Sequence, residues 1–113
     1  MPKKKRANIV ELSPEERSDF AETLRVVTAK YDNVFKTSFP YSSGLHQAPT
    51  DGKKHPEWHF HMHFYPPLLR SATIKKHMVG YEMLAEPQRD ITAEYSAKVL
   101  RELPDVHWKQ APK

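Results

Sequence analysis

His59-Phe60-His61-Met62-His63-Phe64-Tyr65 alternates imidazole and apolar side chains without a break. Such alternation is the period of a β-strand, whose successive side chains point to opposite faces. His59, His61 and His63 then share one face, and Trp58, Phe60, Met62 and Phe64 share the other, a core face. Next-but-one neighbours on a strand lie roughly 7 Å apart. Two imidazoles two apart can turn onto one metal, and a row of them can also attack a phosphate. The run therefore sets both a sheet and a candidate site.

Working outward, Pro66-Pro67 stops this strand, and Ile74 to Met83 reads as a further strand with a bulge at Gly80. Upstream, Val34 to Tyr41 reads as a strand brought to its end by Pro40. Between Tyr41 and the histidine strand, residues 42–56 hold Ser42, Ser43, Gly44, Pro49, Asp51, Gly52 and Pro56, a long loop by composition that carries His46. Two helices flank the strands. Ser13-Pro14-Glu15-Glu16 is a helix start with a capping box, and Phe20, Leu24, Val27 and Tyr31 follow at helical spacing toward an end at Asp32-Asn33. Thr92 begins the second helix, with Ala93, Val99, Leu100 and Leu103 inward and Pro104 as its stop. Helix, strand, loop, strand, strand, helix predicts an α+β domain, with an antiparallel sheet and helices packed on one face. A three-stranded sheet leaves two edges to be covered, which points to a partner.

The bulk numbers narrow the function. A chain of 113 residues is one domain, and 38% apolar content suits a folded core. There is no cysteine, so disulfides and thiolate zinc sites are excluded. No apolar run is long enough to span a membrane, and no apolar stretch follows the basic N-terminus as a secretory signal requires. A cytoplasmic, non-membrane protein is expected. The net charge is +4 from 18 basic and 14 acidic residues. Removing the four charges of Lys3, Lys4, Lys5 and Arg6 leaves 14 basic against 14 acidic, so the body of the domain is no polyanion binder and no nucleic acid is expected. Pro2-Lys3-Lys4-Lys5-Arg6 has the form of a short nuclear-localisation patch, and is read here as a solvated lead-in, residues 1–11. Residues 12–108 form the domain and 109–113 a polar tail.

A family resemblance emerges at His61-Met62-His63-Phe64-Tyr65-Pro66-Pro67-Leu68-Leu69-Arg70-Ser71-Ala72-Thr73. With Val79-Gly80-Tyr81-Glu82-Met83-Leu84-Ala85-Glu86, Gln88-Arg89-Asp90, Phe39-Pro40-Tyr41, His46 and Ala48-Pro49, the chain closely resembles galactose-1-phosphate uridylyltransferase. The similarity runs from about Leu12 to Trp108 and covers only the C-terminal half of that family's subunit. It implies a half-barrel of the histidine-triad type. It also implies transfer of UMP from UDP-glucose to galactose 1-phosphate, through a uridylyl-histidine, in galactose metabolism. The family's nucleophile lies in a His-Pro-His of the N-terminal half. Here His55-Pro56 is followed by Glu57, so no catalytic residue is assigned to this chain, and activity is expected only with a complementary N-terminal half.

The resemblance also implies roles for individual residues. His46, His61 and His63 match three ligands of a zinc or iron site whose fourth ligand is a glutamate of the other half. Lys76, His77, Val79, Tyr81, Glu82 and Gln88 match positions that touch the nucleotide sugar (UDP-glucose or UDP-galactose), reaching the neighbouring subunit's site in a homodimer. Lys76 can neutralise phosphate, and Glu82 and Gln88 can bond sugar hydroxyls. His77 departs from the phenylalanine usual there. His59 is not a ligand position and is expected to be solvated. Two alternatives stay open: a free-standing histidine-triad hydrolase or transferase with His61 as nucleophile, and a non-catalytic remnant.

Overall fold

The computed structural model describes residues 1–65 and 92–112. A 3-10 turn at Ile9–Glu11 precedes a long helix α1, Pro14–Phe35. Strands β1, Ser42–His46, and β2, His61–Tyr65, pair antiparallel, and helix α2 spans Ala93–Glu102. The expected α+β class holds. The strand expected over 74–83 lies outside the described residues, so the sheet is two-stranded among those described. No helix there is long and apolar enough to cross a membrane.

The start of α1 follows its sequence. Ser13 Oγ accepts from Glu16 N–H and Glu16 Oε1 accepts from Ser13 N–H, both at 3.1 Å, a closed capping box. Its end does not. The helix runs past Asp32-Asn33 to Phe35, and Lys36 takes φ 50°, the left-handed turn that terminates helices. Asp32 and Asn33 have the form of a stop because such side chains so often bond the local backbone. Here they are engaged elsewhere. The Asp32 carboxylate accepts from Phe39 N–H (2.8 Å) and from His107 Nε2 (3.0 Å), which leaves their own backbone free to stay helical. Residues 34 and 35 are thus helix, not strand, and the strand falls at Ser42–His46, in the expected loop. Serines and glycine carry little strand propensity; cross-strand pairing with β2 supplies what composition lacks.

Two compact units divide the described chain. The first comprises Met1–Thr23 and Ser43–Phe64. Its core is Leu12 and Phe60, the latter only 1% exposed, with Phe20 edge-on to Phe60 at 6.0 Å. Of the apolar face expected along the histidine run, Phe60, just before β2, is buried, whereas Met62 and Phe64 are half-buried like His61 and His63 beside them.

The lead-in differs from expectation at Arg6. Lys3, Lys4 and Lys5 are exposed, but Arg6 pairs with Glu16 through Nη2 to Oε1 at 2.8 Å and Nε to Oε2 at 3.3 Å. That pairing, with the Ser13 bonds, draws the Glu16 carboxyl from 4.5 down to about 2 and raises Arg6. A depressed carboxyl stabilises the fold above its unfolded pKa and ceases to do so as pH falls through its folded one. Glu16→Gln is expected to lower stability near neutral pH and to flatten the loss between about pH 4.5 and 2. Urea melts across that range check it; parallel curves for the two proteins would refute it.

The second unit comprises, among the described residues, Leu24–Ser42, Tyr65 and residues 92–112. Tyr31 stacks on Phe39 (5.3 Å, 11°) and lies 6.0 Å from Tyr41; burial and the nearby Tyr41 push its phenol up. Ala29, Asn33 and Phe39 are buried. The helix α2 begins at Thr92 as expected, and Thr92 Oγ1 caps it by accepting from Tyr95 N–H at 3.2 Å. Val99, Leu100 and Leu103 are half-buried, but Ala93, expected inward, is exposed in the first turn.

Candidate metal centre

His46 ends β1, and His61 and His63 lie on β2. Strand pairing brings them together across the loop of residues 47–60. Each offers one ring nitrogen, and those three nitrogens lie within 4.8 Å of one another. The rings are close: His46 to His63 at 4.3 Å, His61 to His63 at 4.8 Å and His46 to His61 at 5.0 Å between centroids. The i, i+2 spacing puts His61 and His63 on one face, and the hairpin returns His46 to it.

Hydrogen bonding sets which atoms face inward. His61 Nδ1 lies 2.7 Å from His59 O; a carbonyl only accepts, so Nδ1 carries the proton and Nε2 the lone pair. That Nε2 lies 3.2 Å from His46 Nδ1. Two nitrogens of a tetrahedral site with bonds of about 2.0–2.1 Å stand roughly 3.3–3.4 Å apart, so the pair already has the spacing a metal requires. A ligating histidine whose other nitrogen is held by a carbonyl is the usual outer support of a metal site. Burial, then the like-charged potential of His46 and His61, pushes the His63 imidazole down. That shift favours the neutral form, the state in which imidazole donates to a metal. The donor set fits a borderline divalent metal such as zinc or iron and has no hard oxygen ligands of the kind calcium or magnesium needs.

Two neighbours were not legible as part of the site. Alternation along the run puts Trp58 on the opposite face, but β2 begins only at His61, so the alternation does not extend back to it. Its indole N–H donates to His46 O at 3.3 Å, and its ring stacks on His61 at 6.1 Å. His59 is not solvated as expected. Its ring Nε2 donates to Pro2 O at 2.9 Å, and it is half-buried. An aromatic beside a histidine run is a weak pointer to the first; nothing in the sequence pointed to the second.

The connecting loop has its own clasp. His55 lies between two carboxylates, Nε2 to Asp51 at 2.9 Å and Nδ1 to Glu57 at 3.1 Å. Both ring nitrogens can donate only as imidazolium. Asp51 first, then Glu57, raises the His55 pKa, so the clasp is complete below about 6.5 and released as pH rises through the raised value. Asp51 also accepts from Lys53 N–H at 3.0 Å around Gly52, whose φ of 79° suits glycine. Lys76, His77, Val79, Tyr81, Glu82 and Gln88 lie outside the described residues.

The family model described as "Galactose-1-phosphate uridyl transferase, C-terminal domain" matches residues 1–112, so the match takes in residues 1–11 as well. A galactose-1-phosphate uridylyltransferase of Haemophilus influenzae is 55% identical over 113 residues, all of this chain and 32% of that protein. The proteins of that name from Rattus norvegicus (52%, 96% of this chain and 29% of that one) and Saccharomyces cerevisiae (53%, 96% and 30%) are similarly alike. The chain spans about a third of the length of these relatives and corresponds to their C-terminal region. A solved structure titled "Structure of uridylyltransferase" superposes with a TM-score of 0.74 at 32% identity, covering 88% of this chain and 32% of the other.

Proposed function

The chain belongs to the galactose-1-phosphate uridyl transferase family, as its C-terminal domain, and from that membership we propose that it is the metal-binding and hexose-binding part of a nucleotidyltransferase. The reaction is transfer of UMP from UDP-glucose to galactose 1-phosphate through a uridylyl-histidine. The observation that carries the proposal is the convergence of one ring nitrogen from each of His46, His61 and His63 within 4.8 Å, with His61 Nε2 3.2 Å from His46 Nδ1, in a chain whose residues 1–112 match this family's C-terminal domain.

In this proposal His46, His61 and His63 hold zinc or iron, and a glutamate of the N-terminal half completes the set. Such a closed ion is structural: it ties ligands from two strands and a second chain segment together. The half-barrel of histidine-triad type would be completed in the same way, by strands from the other half. Lys76 sets a positive charge by the phosphate, Glu82 and Gln88 bond sugar hydroxyls, and Val79, Tyr81 and His77 line the sugar ring. These residues would serve the neighbouring subunit of a cytoplasmic homodimer. The nucleophile belongs to the His-Pro-His of the other half, so phosphorus is attacked by no residue of this chain. The free-standing triad reading needs His61 Nε2 open to phosphorus, and that atom is faced by His46.

The test is reconstitution. The purified chain is incubated with UDP-glucose and galactose 1-phosphate, with and without the N-terminal portion of a family member. UDP-galactose formed only with both parts is the expected result. A uridylyl adduct on this chain alone, lost in His61→Gly, would overturn it.

A further inference from the structure

We propose that the N-terminal segment Pro2–Ala7 positions the ligand His61 through a single peptide group, with Arg6 as the positioning residue; this rests on the metal-centre reading above. The peptide joining His59 to Phe60 is bonded at both ends. Its N–H donates to Arg6 O at 2.7 Å. Its C=O is the oxygen that accepts from His61 Nδ1 at 2.7 Å. A trans peptide is planar, with N–H and C=O pointing in opposite directions, so fixing the first aims the second. The Arg6 carbonyl thereby orients the atom that selects the His61 tautomer and turns its Nε2 toward His46. A chain of bonds running carbonyl to amide to imidazole also polarises along its length, which makes Nε2 a better donor.

The same segment reaches both sides of the site. The His59 ring donates to Pro2 O at 2.9 Å, and Ala48 N–H, two residues beyond His46, donates to Ala7 O at 2.9 Å. Arg6 is itself anchored, its guanidinium bonded through two nitrogens to Glu16 on α1. The segment is thus a strap across the chain just outside both ligand strands.

The test compares the unsubstituted chain with Arg6→Ala, Arg6→Lys and the exposed charge control Lys4→Ala. Long-range proton–nitrogen NMR of the metal-free chain reads the His61 tautomer, and cobalt(II) titration reads affinity. Arg6→Ala is expected to mix the two tautomers and to weaken cobalt binding about tenfold, the lower end for outer supports of a metal site. Arg6→Lys should keep most of both, and Lys4→Ala should change neither. If Arg6→Ala does not fold, Glu16→Gln loosens the same anchor more gently and is read in the same way. An unchanged tautomer and unchanged affinity in a folded, loosened variant would overturn the inference. Failure of the unsubstituted chain to bind cobalt, with the tautomer shift intact, would sink the metal reading and leave the positioning contact standing.

Discussion

Phe60→Ala is expected to cost the fold about 3–5 kcal/mol, the range for removing a large buried aromatic. Phe60 is 1% exposed and meets Phe20 edge-on, so truncation loses both transfer energy and a ring pair worth about 0.5–1.5 kcal/mol. Small domains hold only about 5–15 kcal/mol in all, so the variant should be close to unfolded at ambient temperature. Phe60→Leu keeps most of the volume and should cost far less. Urea denaturation followed by tryptophan fluorescence measures both. A loss under about 1 kcal/mol for the alanine variant would mean that the site collapses around the gap, and that Phe60 is not the centre of its unit.

Asn33 carries the second large effect. It sits within α1 at 6% exposure, and its amide nitrogen donates to Pro104 O (3.0 Å) and Val106 O (2.9 Å). Its oxygen accepts from Trp108 N–H at 2.7 Å. One side chain therefore satisfies three backbone groups of the segment after α2. Asn33→Ala should cost about 1–3 kcal/mol, since three part-buried backbone groups lose their partner at once. Asn33→Asp is nearly isosteric and keeps the acceptor, but it aims a carboxylate at two carbonyls. It should cost more than alanine at neutral pH and recover part of that loss as acid protonates it. Thermal melts of the three proteins at two pH values decide the order; aspartate milder than alanine at neutral pH would contradict the geometry.

What could be read from the chain alone follows the range of the forces involved. The capping box of Ser13 and Glu16 and the helix start at Thr92 are local, closed within one helical turn, and both are as expected. His61 and His63 share a strand, so their common face follows from periodicity. His46 joins them only by the family resemblance, because its position depends on a hairpin closed over fifteen residues. Failures fall where a side chain acts at long range. Asp32 and Asn33 resemble a helix stop in every local respect, yet their partners are Phe39, Pro104, Val106, His107 and Trp108. Ser42-Ser43-Gly44 resembles loop, and becomes strand because β2 offers it a ladder. Arg6 resembles one more charge of a solvated run, and is held by a glutamate ten residues on.

The strap has a bearing on how the chain is made. Pro2 is bonded to a residue 57 positions later, and Asn33 to one 75 positions later. During synthesis, at about 5–20 residues per second, the segment carrying Pro2 waits several seconds before His59 exists. For that interval α1 can form by itself while its early neighbours stay unpaired. Contacts of such wide separation slow folding, because the closure entropy must be met before they form. The bonds of residues 2–7 to His59 and Phe60 therefore cannot form until the chain has been made through β2.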